Sequence, residues 1–340
     1  MNTKGNLRSI AFALAGLGGI VLASSIALRT IGLLCMSIPP GPYNAELAEK
    51  DGLPAQFPVP RVFLVGGSNL AFGVDSVRLS KSLSRPVVNM GLQYGLGLAF
   101  MFKQIEPHLA RSDTVIIIPE YLLFIGSASG DPECLADALL IWPPCARHMR
   151  SASQIRNLLE GLVTVRYSWL AERIRVTASR LLQVKQDASI QERYEYACGG
   201  FNAHGDEVRH LAFPDGPDKE RLSSWLWPDS TYDPTGARLI NEFAERVRPR
   251  GVRVAIVFPP YPRTTYEDNR IFLDNLALKL RSSLAIPILD TLQDGLAPTN
   301  HIFNMCYHLN AAGIAARSCH LESILHRFLS SNDSGTSFGE

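Results

Sequence analysis

The sequence predicts an α/β fold with a parallel central sheet, preceded by a single membrane-spanning helix. Three observations predict it. Residues 9–34 are almost wholly apolar or small. Beyond them, short β-branched runs alternate with segments of helical periodicity, the rhythm of strands joined by crossover helices. The run Thr114-Val115-Ile116-Ile117-Ile118 is nearly all apolar, as strands covered on both faces are.

From Ser9 to Leu28 no residue is charged, and the apolar character continues to Leu34, interrupted only by Arg29. At about 1.5 Å per residue, some 20 such residues cross a hydrocarbon core of roughly 30 Å. Lys4 and Arg8 precede the run, and the first acidic residue is Glu46. Positive charge before the first span predicts a cytoplasmic N-terminus (1–8) and an extracytoplasmic, periplasmic remainder. Arg29 lies near the far end, where its stem can snorkel to the interface. Gly16, Gly18 and Gly19 would let another membrane helix approach closely, although small residues are common in such segments anyway. A cleaved signal peptide is the competing reading, with Leu22-Ala23-Ser24-Ser25 near its end, but its apolar core would span only about 7–15 residues. The length favours an uncleaved signal anchor at 9–34.

About 300 residues remain, enough for one large or two small domains. The net charge is +1 and no Lys/Arg run interleaves with aromatics, which argues against nucleic-acid binding. Cys35 directly follows the anchor, and five cysteines lie in the chain beyond it: Cys134, Cys145, Cys198, Cys306 and Cys319. An oxidising compartment would permit disulfides, with Cys134–Cys145 the most local candidate and one thiol left over. No CxxC pair or His/Cys ligand spacing occurs, so no metal site and no cofactor are expected.

The elements follow in order. Residues 35–60 read as a linker, opening with Ile38-Pro39-Pro40-Gly41-Pro42, which cannot continue a helix. The α/β domain then runs from 61 to 329. Arg61–Val65 is a strand ending in Gly66-Gly67, and Asp75-Ser76 caps a helix reaching Ser84. Pro86–Met90 is a second strand closed by Gly91, Leu98–Ala110 a helix, and Thr114–Ile118 a third strand. An irregular insertion covers about 127–235, helical in pattern from Ala152 to Leu182 and rich in Gly, Asp, Pro and aromatics over 196–235. The rhythm resumes with a helix at Pro234–Val247 and a strand at Val252–Phe258, stopped by Pro259-Pro260. A helix at Asn269–Leu284, a fifth short strand at Ile286–Asp290 and a closing helix at Ala311–Leu329 complete it. The tail, 330–340, is expected to be frayed.

Parallel sheets bind ligands at the carboxyl ends of their strands. Strand one leads into Ser68, strand two into Gly91, strand three into Glu120 and strand five into Asp290, so these groups should share one edge. A serine in a tight Gly-assisted turn can present its Oγ there while following N–H groups face a developing oxyanion. A Gly-Gly-Ser turn by itself is commonly just a turn. His308, far along the chain, could take the serine proton, and alone reads as an ordinary hydrogen-bonded histidine.

Taken together, these segments resemble the SGNH/GDSL hydrolase superfamily in its membrane-anchored, cell-envelope branch. Gly66-Gly67-Ser68-Asn69-Leu70-Ala71-Phe72-Gly73-Val74-Asp75-Ser76 looks like the first block, and Val88-Asn89-Met90-Gly91 like the second. Ile118-Pro119-Glu120-Tyr121 stands at the third. Tyr307-His308-Leu309-Asn310-Ala311-Ala312-Gly313 looks like the closing block. The resemblance implies a flavodoxin-like three-layer sandwich and a serine acyl-enzyme, with Ser68 as nucleophile and His308 as general base. It also implies an oxyanion hole from the N–H groups of Ser68 or Asn69 and of Gly91. Related proteins that combine such an anchor and domain act in exopolysaccharide and alginate O-acetylation and in D-alanine transfer to teichoic acid.

Two departures stand out. The usual third-block asparagine is replaced by Pro119-Glu120-Tyr121; proline has no N–H and ionised Glu120 would repel an oxyanion, leaving Tyr121 or another group as donor. The closing block normally carries an aspartate shortly before the histidine, and here the candidate is Asn304. An amide can orient an imidazole, but it cannot stabilise imidazolium with a full charge and can favour the wrong tautomer. Asp290 or Glu120 is the alternative acid. Elsewhere, Asp75 fits a helix cap, and His301, His320 and His326 match no common metal spacing. Asn202-Ala203-His204-Gly205-Asp206 reads as a polar turn or a substrate loop, and Trp225, Trp227 and Tyr232 as loop packing or a sugar-stacking set.

The expected function is serine-dependent transfer of an acyl group, acetyl above all, to or from an envelope or exported polysaccharide, or hydrolysis of such an ester. A transferase would need a donor, which a multispanning membrane partner could pass to it. The rival expectation is a catalytically inactive domain that binds polysaccharide or scaffolds an envelope assembly complex.

Overall fold

The computed structural model describes residues 46–164, 199–213 and 230–331. All of these belong to one compact unit that begins at Pro42. The predicted anchor, the far half of the 152–182 helical pattern, Cys198, Trp225, Trp227 and nearly all of the tail lie outside the described residues. Among the described residues, no helix is long and apolar enough to cross a membrane.

The centre is a parallel sheet of β1 (Val62–Gly66), β2 (Val87–Asn89), β3 (Thr114–Ile118) and β4 (Arg253–Ile256), in the order β2-β1-β3-β4. β1 pairs with β2 on one side and with β3 on the other, so the strand order reverses about β1. Alternation along each strand divides the core into two. Phe63, Val65, Val88, Val115 and Ile117 point to one face, where α4 (Gly97–Ile105), α7 (Thr235–Val247) and α8 (Arg263–Ser283) pack with Phe102, Phe243 and Leu273. Val62, Leu64, Val87, Ile116 and Ile118 point to the other, against Leu79 of α3 (Ser76–Leu83) and Leu321 and Leu325 of α9 (Ala311–Ser330). Successive side chains of a strand face opposite ways, so apolar runs without alternation require cover on both sides. The result is an α/β arrangement of three layers.

The helix ends follow their capping chemistry. Asp75 accepts from Arg78 N at 2.9 Å and starts α3, so its predicted cap role is its role in the fold. Asn310 accepts from Gly313 N at 3.0 Å and starts α9.

The structure departs from the sequence reading in four places. The expected fifth strand at 286–290 is reduced to one parallel bridge, Ile256 to Ile288, since Pro287 has no N–H to donate to a ladder. The helix expected at Asn269–Leu284 begins six residues earlier, at Arg263, directly after the short strand β5 (Tyr261–Pro262), which pairs with β6 (Leu296–Ala297). Residues 46–60, read as linker, include α1 (Leu47–Gly52) and a 3-10 turn, whose Leu47 and Leu53 enter the core. Cys134 and Cys145 are free thiols and form no disulfide. Cys134 lies on α5 (Pro132–Ile141) against Gly95, where a Cβ would stand 2.3 Å from its sulfur.

The first part of the irregular insertion is helical, with α5 followed by α6 (152–164). Residues 199–213 return across the exposed edge of β2. There Asn89 N donates to His204 O at 2.9 Å, and the His204 ring contacts Val87 O at 2.8 Å. Of the two readings offered for 202–206, this geometry is that of a turn closing a sheet edge.

Candidate active site

Crevices outside the carboxyl ends of parallel strands, where the strand order reverses, are the ligand sites of doubly wound sheets. Here that point lies between β1 and β3, which end at Gly66 and Ile118. Both lead directly to predicted site residues: Ser68 opens the four-residue helix α2 (Ser68–Ala71), and Glu120 follows Pro119.

The two meet. Ser68 Oγ donates to Glu120 Oε1 at 3.2 Å, and Asn69 N–H donates to the same oxygen at 2.9 Å. Asn69 is held by its own side chain, which donates to Ile118 O at 2.9 Å. Glu120 is 1% exposed, while Ser68 is partly open to solvent. Gly67 makes the approach possible: a Cβ there would stand 2.6 Å from Glu120 Oε1 and 2.7 Å from Tyr94 N. Burial pushes the Glu120 carboxyl up to about 7, against the hydrogen bonds from Asn69 and Ser68 that favour its charge. A carboxyl so placed exchanges a proton near neutral pH.

The second expected oxyanion donor is engaged too. Gly91 N–H donates to Asn89 Oδ1 at 2.9 Å. Gly91 is required by packing, since a Cβ would stand 2.4 Å from Leu70 Cβ and 2.8 Å from Gly67 O. Tyr121, the other donor considered, gives its N–H to Tyr307 Oη at 3.2 Å.

His308 arrives from the closing loop. Leu309 N donates to Phe72 O at 3.0 Å, and the imidazole stacks on Phe72 with centroids 4.1 Å apart. Phe72 in turn donates its N–H to Ser68 O at 2.9 Å, so the histidine is docked on the residue that ends the Ser68 helix. Asn304 Oδ1 lies 2.9 Å from His308 Nδ1. An amide oxygen only accepts, so Nδ1 carries the proton and Nε2 the lone pair, the tautomer a general base needs. Burial, with His210 nearby, brings this imidazole down to about 3. It is a neutral ring with little tendency to hold a second proton.

Asp290 does not join them. Its Oδ1 accepts from Phe258 N at 2.9 Å, and its Oδ2 lies 3.7 Å from Arg317 and 3.2 Å from His320 of α9. Its carboxylate caps the end of β4 and neutralises a buried arginine, and is no acid partner of His308. His326 contacts Ser82 Oγ at 2.9 Å, and Tyr232 packs half-buried on the core.

Sequence reasoning missed one support of the site. Asp206 Oδ1 accepts from Ser76 Oγ at 2.6 Å and Asn89 Nδ2 at 2.8 Å, and its Oδ2 from Ser76 N at 2.8 Å and Asn202 Nδ2 at 3.0 Å. Lys50 of α1 donates to Asn89 O at 2.8 Å. The insertion and α1 therefore hold Asn89, which holds Gly91. The signal available was a glycine and an aspartate inside one short polar turn.

The fold and site define a parallel α/β protein with a serine–carboxyl pair at the switch point and a histidine–asparagine pair from the closing loop, docked on Phe72 at the end of the Ser68 helix. Comparison with known protein families finds none that matches, and no curated protein matches the chain.

Proposed function

We propose that this chain is an SGNH-like, membrane-anchored protein that transfers an acyl group, acetyl above all, to or from an envelope or exported polysaccharide, or hydrolyses such an ester. The reaction runs through an acyl-enzyme on Ser68. The observation that carries this reading is placement: at the switch point the Ser68 hydroxyl is hydrogen-bonded to a proton acceptor, Glu120 Oε1, with the Asn69 N–H beside it, as activation of a serine nucleophile requires. For the base, the resemblance supplies His308, and Asn304 sets its tautomer. The apolar run 9–34 is an uncleaved anchor in this reading. It holds the domain on the periplasmic side, where a multispanning partner can deliver an acyl donor and a polymer emerges.

One observation favours a second reading, a catalytically inactive domain that binds polysaccharide or scaffolds an envelope complex. The position on which Ser68 and Asn69 converge is filled by Glu120, and the Gly91 N–H is taken by Asn89.

The two readings separate by covalent labelling. Full-length protein in detergent is treated with a serine-reactive fluorophosphonate beside Ser68→Ala and His308→Ala, and acetyl-ester release is assayed on the same samples. A Ser68-dependent adduct with ester turnover is the expected result. Absence of any Ser68-dependent adduct in folded protein would falsify the acyl-enzyme and leave the binding reading.

A further inference from the structure

We infer that Glu120, rather than His308, takes the proton of Ser68. This rests on the acyl-enzyme reading of Ser68 and names the catalytic group within it. Among the described residues, the acceptor at Ser68 Oγ is Glu120 Oε1, at 3.2 Å. The Asn69 N–H at 2.9 Å fixes that same oxygen in place, and Gly67 leaves the room in which it sits. His308 is instead held flat on Phe72. The pKa values point the same way, since a general base works best near the operating pH. Glu120 is at about 7 and His308 at about 3.

The proton balance removes the repulsion that a carboxylate would impose on an oxyanion. As Ser68 Oγ bonds to the acyl carbon, its O–H bond breaks and the proton passes to Glu120 Oε1. The carbonyl π pair moves onto the substrate oxygen. Negative charge thus leaves Glu120 in the step in which it appears on the substrate. The neutral acid is a weaker acceptor, which frees the Asn69 N–H, and it carries an O–H that can itself donate to the oxyanion. On collapse, the oxyanion pair re-forms the carbonyl π bond and the bond from carbon to the leaving oxygen breaks. That oxygen takes the electron pair and then the Glu120 proton, which restores the carboxylate. The second half is the reverse, with water or a sugar hydroxyl as acceptor. His308 and Asn304 become positioning residues that hold the end of α2 through Phe72.

The titratable groups facing Glu120 are Tyr94 from the segment after β2 and Cys306 and Tyr307 from the closing loop. Burial raises all three, Cys306 to about 12 and both tyrosines above their ordinary value, so they stay neutral while Glu120 titrates. Among the described residues Glu120 has no ion pair, and its change of charge is uncompensated except by Ser68 and Asn69.

The test is the pH dependence of fluorophosphonate labelling in full-length wild type, Glu120→Gln and His308→Ala. In wild type the rate should rise with pH through a single transition near 7. Glu120→Gln, checked for folding by its thermal melt, should label about 100-fold more slowly and lose the transition. His308→Ala should keep the transition whatever its absolute rate. Three results overturn the inference while leaving Ser68 as nucleophile: a Glu120→Gln profile like wild type, faster labelling of Glu120→Gln, or a transition lost in His308→Ala. Faster labelling would make the carboxyl a plug, and the His308→Ala result stands even if Glu120→Gln does not fold. Wild type that never labels removes the acyl-enzyme itself.

Discussion

Glu120 binds its proton more tightly in the folded chain than in the unfolded one, because burial raises its carboxyl from 4.5 to about 7. The consequence for stability has a definite sign. Between those two values the unfolded chain has released the proton and the folded chain keeps it, so this group's contribution falls as pH rises through the window. Above about 7 it is constant. Glu120→Gln removes the dependence, so its melting temperature relative to wild type should climb from pH 4.5 to about 7 and then level off. A difference that is flat across that range would mean that the carboxyl is not desolvated. At this scale the sequence was partly readable. His308 and Asn304 lie four residues apart in one turn-rich loop, and their contact is local. The meeting of Ser68 with Glu120 spans 52 residues and depends on two strands pairing in register, which no local pattern encodes.

α9 carries Arg317 and His320 to the carboxyl end of β4, and their partner there is Asp290. Arg317 and Asp290 have side chains only 5% and 1% exposed, so removing one leaves the other's charge buried. Asp290→Ala should therefore destabilise by about 3 kcal/mol or more, measured by chemical denaturation. Where the variant is folded, Ser68 labelling should persist. Labelling lost under those conditions would return Asp290 to the site. Asp75 and Asn310 each cap a helix through a neighbour three residues away, and of the two the Asp75 cap of α3 was legible in the sequence. The fifth strand was misread for a physical reason: the apolar run Ile286-Pro287-Ile288-Leu289 has the right composition, but Pro287 removes a ladder donor. The start of α8 was placed late because Tyr261-Pro262 reads as loop, and the short pairing with β6, 35 residues on, cannot be seen locally.

Across the whole molecule, the segment 199–213 joins β2, the first turn of α3 and the Gly91 loop through three hydrogen bonds of the Asp206 carboxylate. With Asp206 2% exposed, Asp206→Ala strands Ser76 and Asn89 together and should destabilise by about 3 kcal/mol. Hydrogen exchange should then quicken at 87–91 as well as at 199–213. Faster exchange confined to 199–213 would mean that the insertion merely rests on the sheet. The sequence alone determined the four buried runs that become the sheet, the helices that cover its two faces, and the placing of Ser68 and Glu120 at strand ends. Those features follow from periodicity, capping and turn chemistry, which act over a few residues. Only the tertiary structure decided that Ser68 faces Glu120, that Asp290 belongs to Arg317, and that a polar turn more than 100 residues away closes the edge of β2. Each of those outcomes is a choice among buried polar partners. In a dry interior that choice is made by whichever groups the packed backbone brings within hydrogen-bond reach.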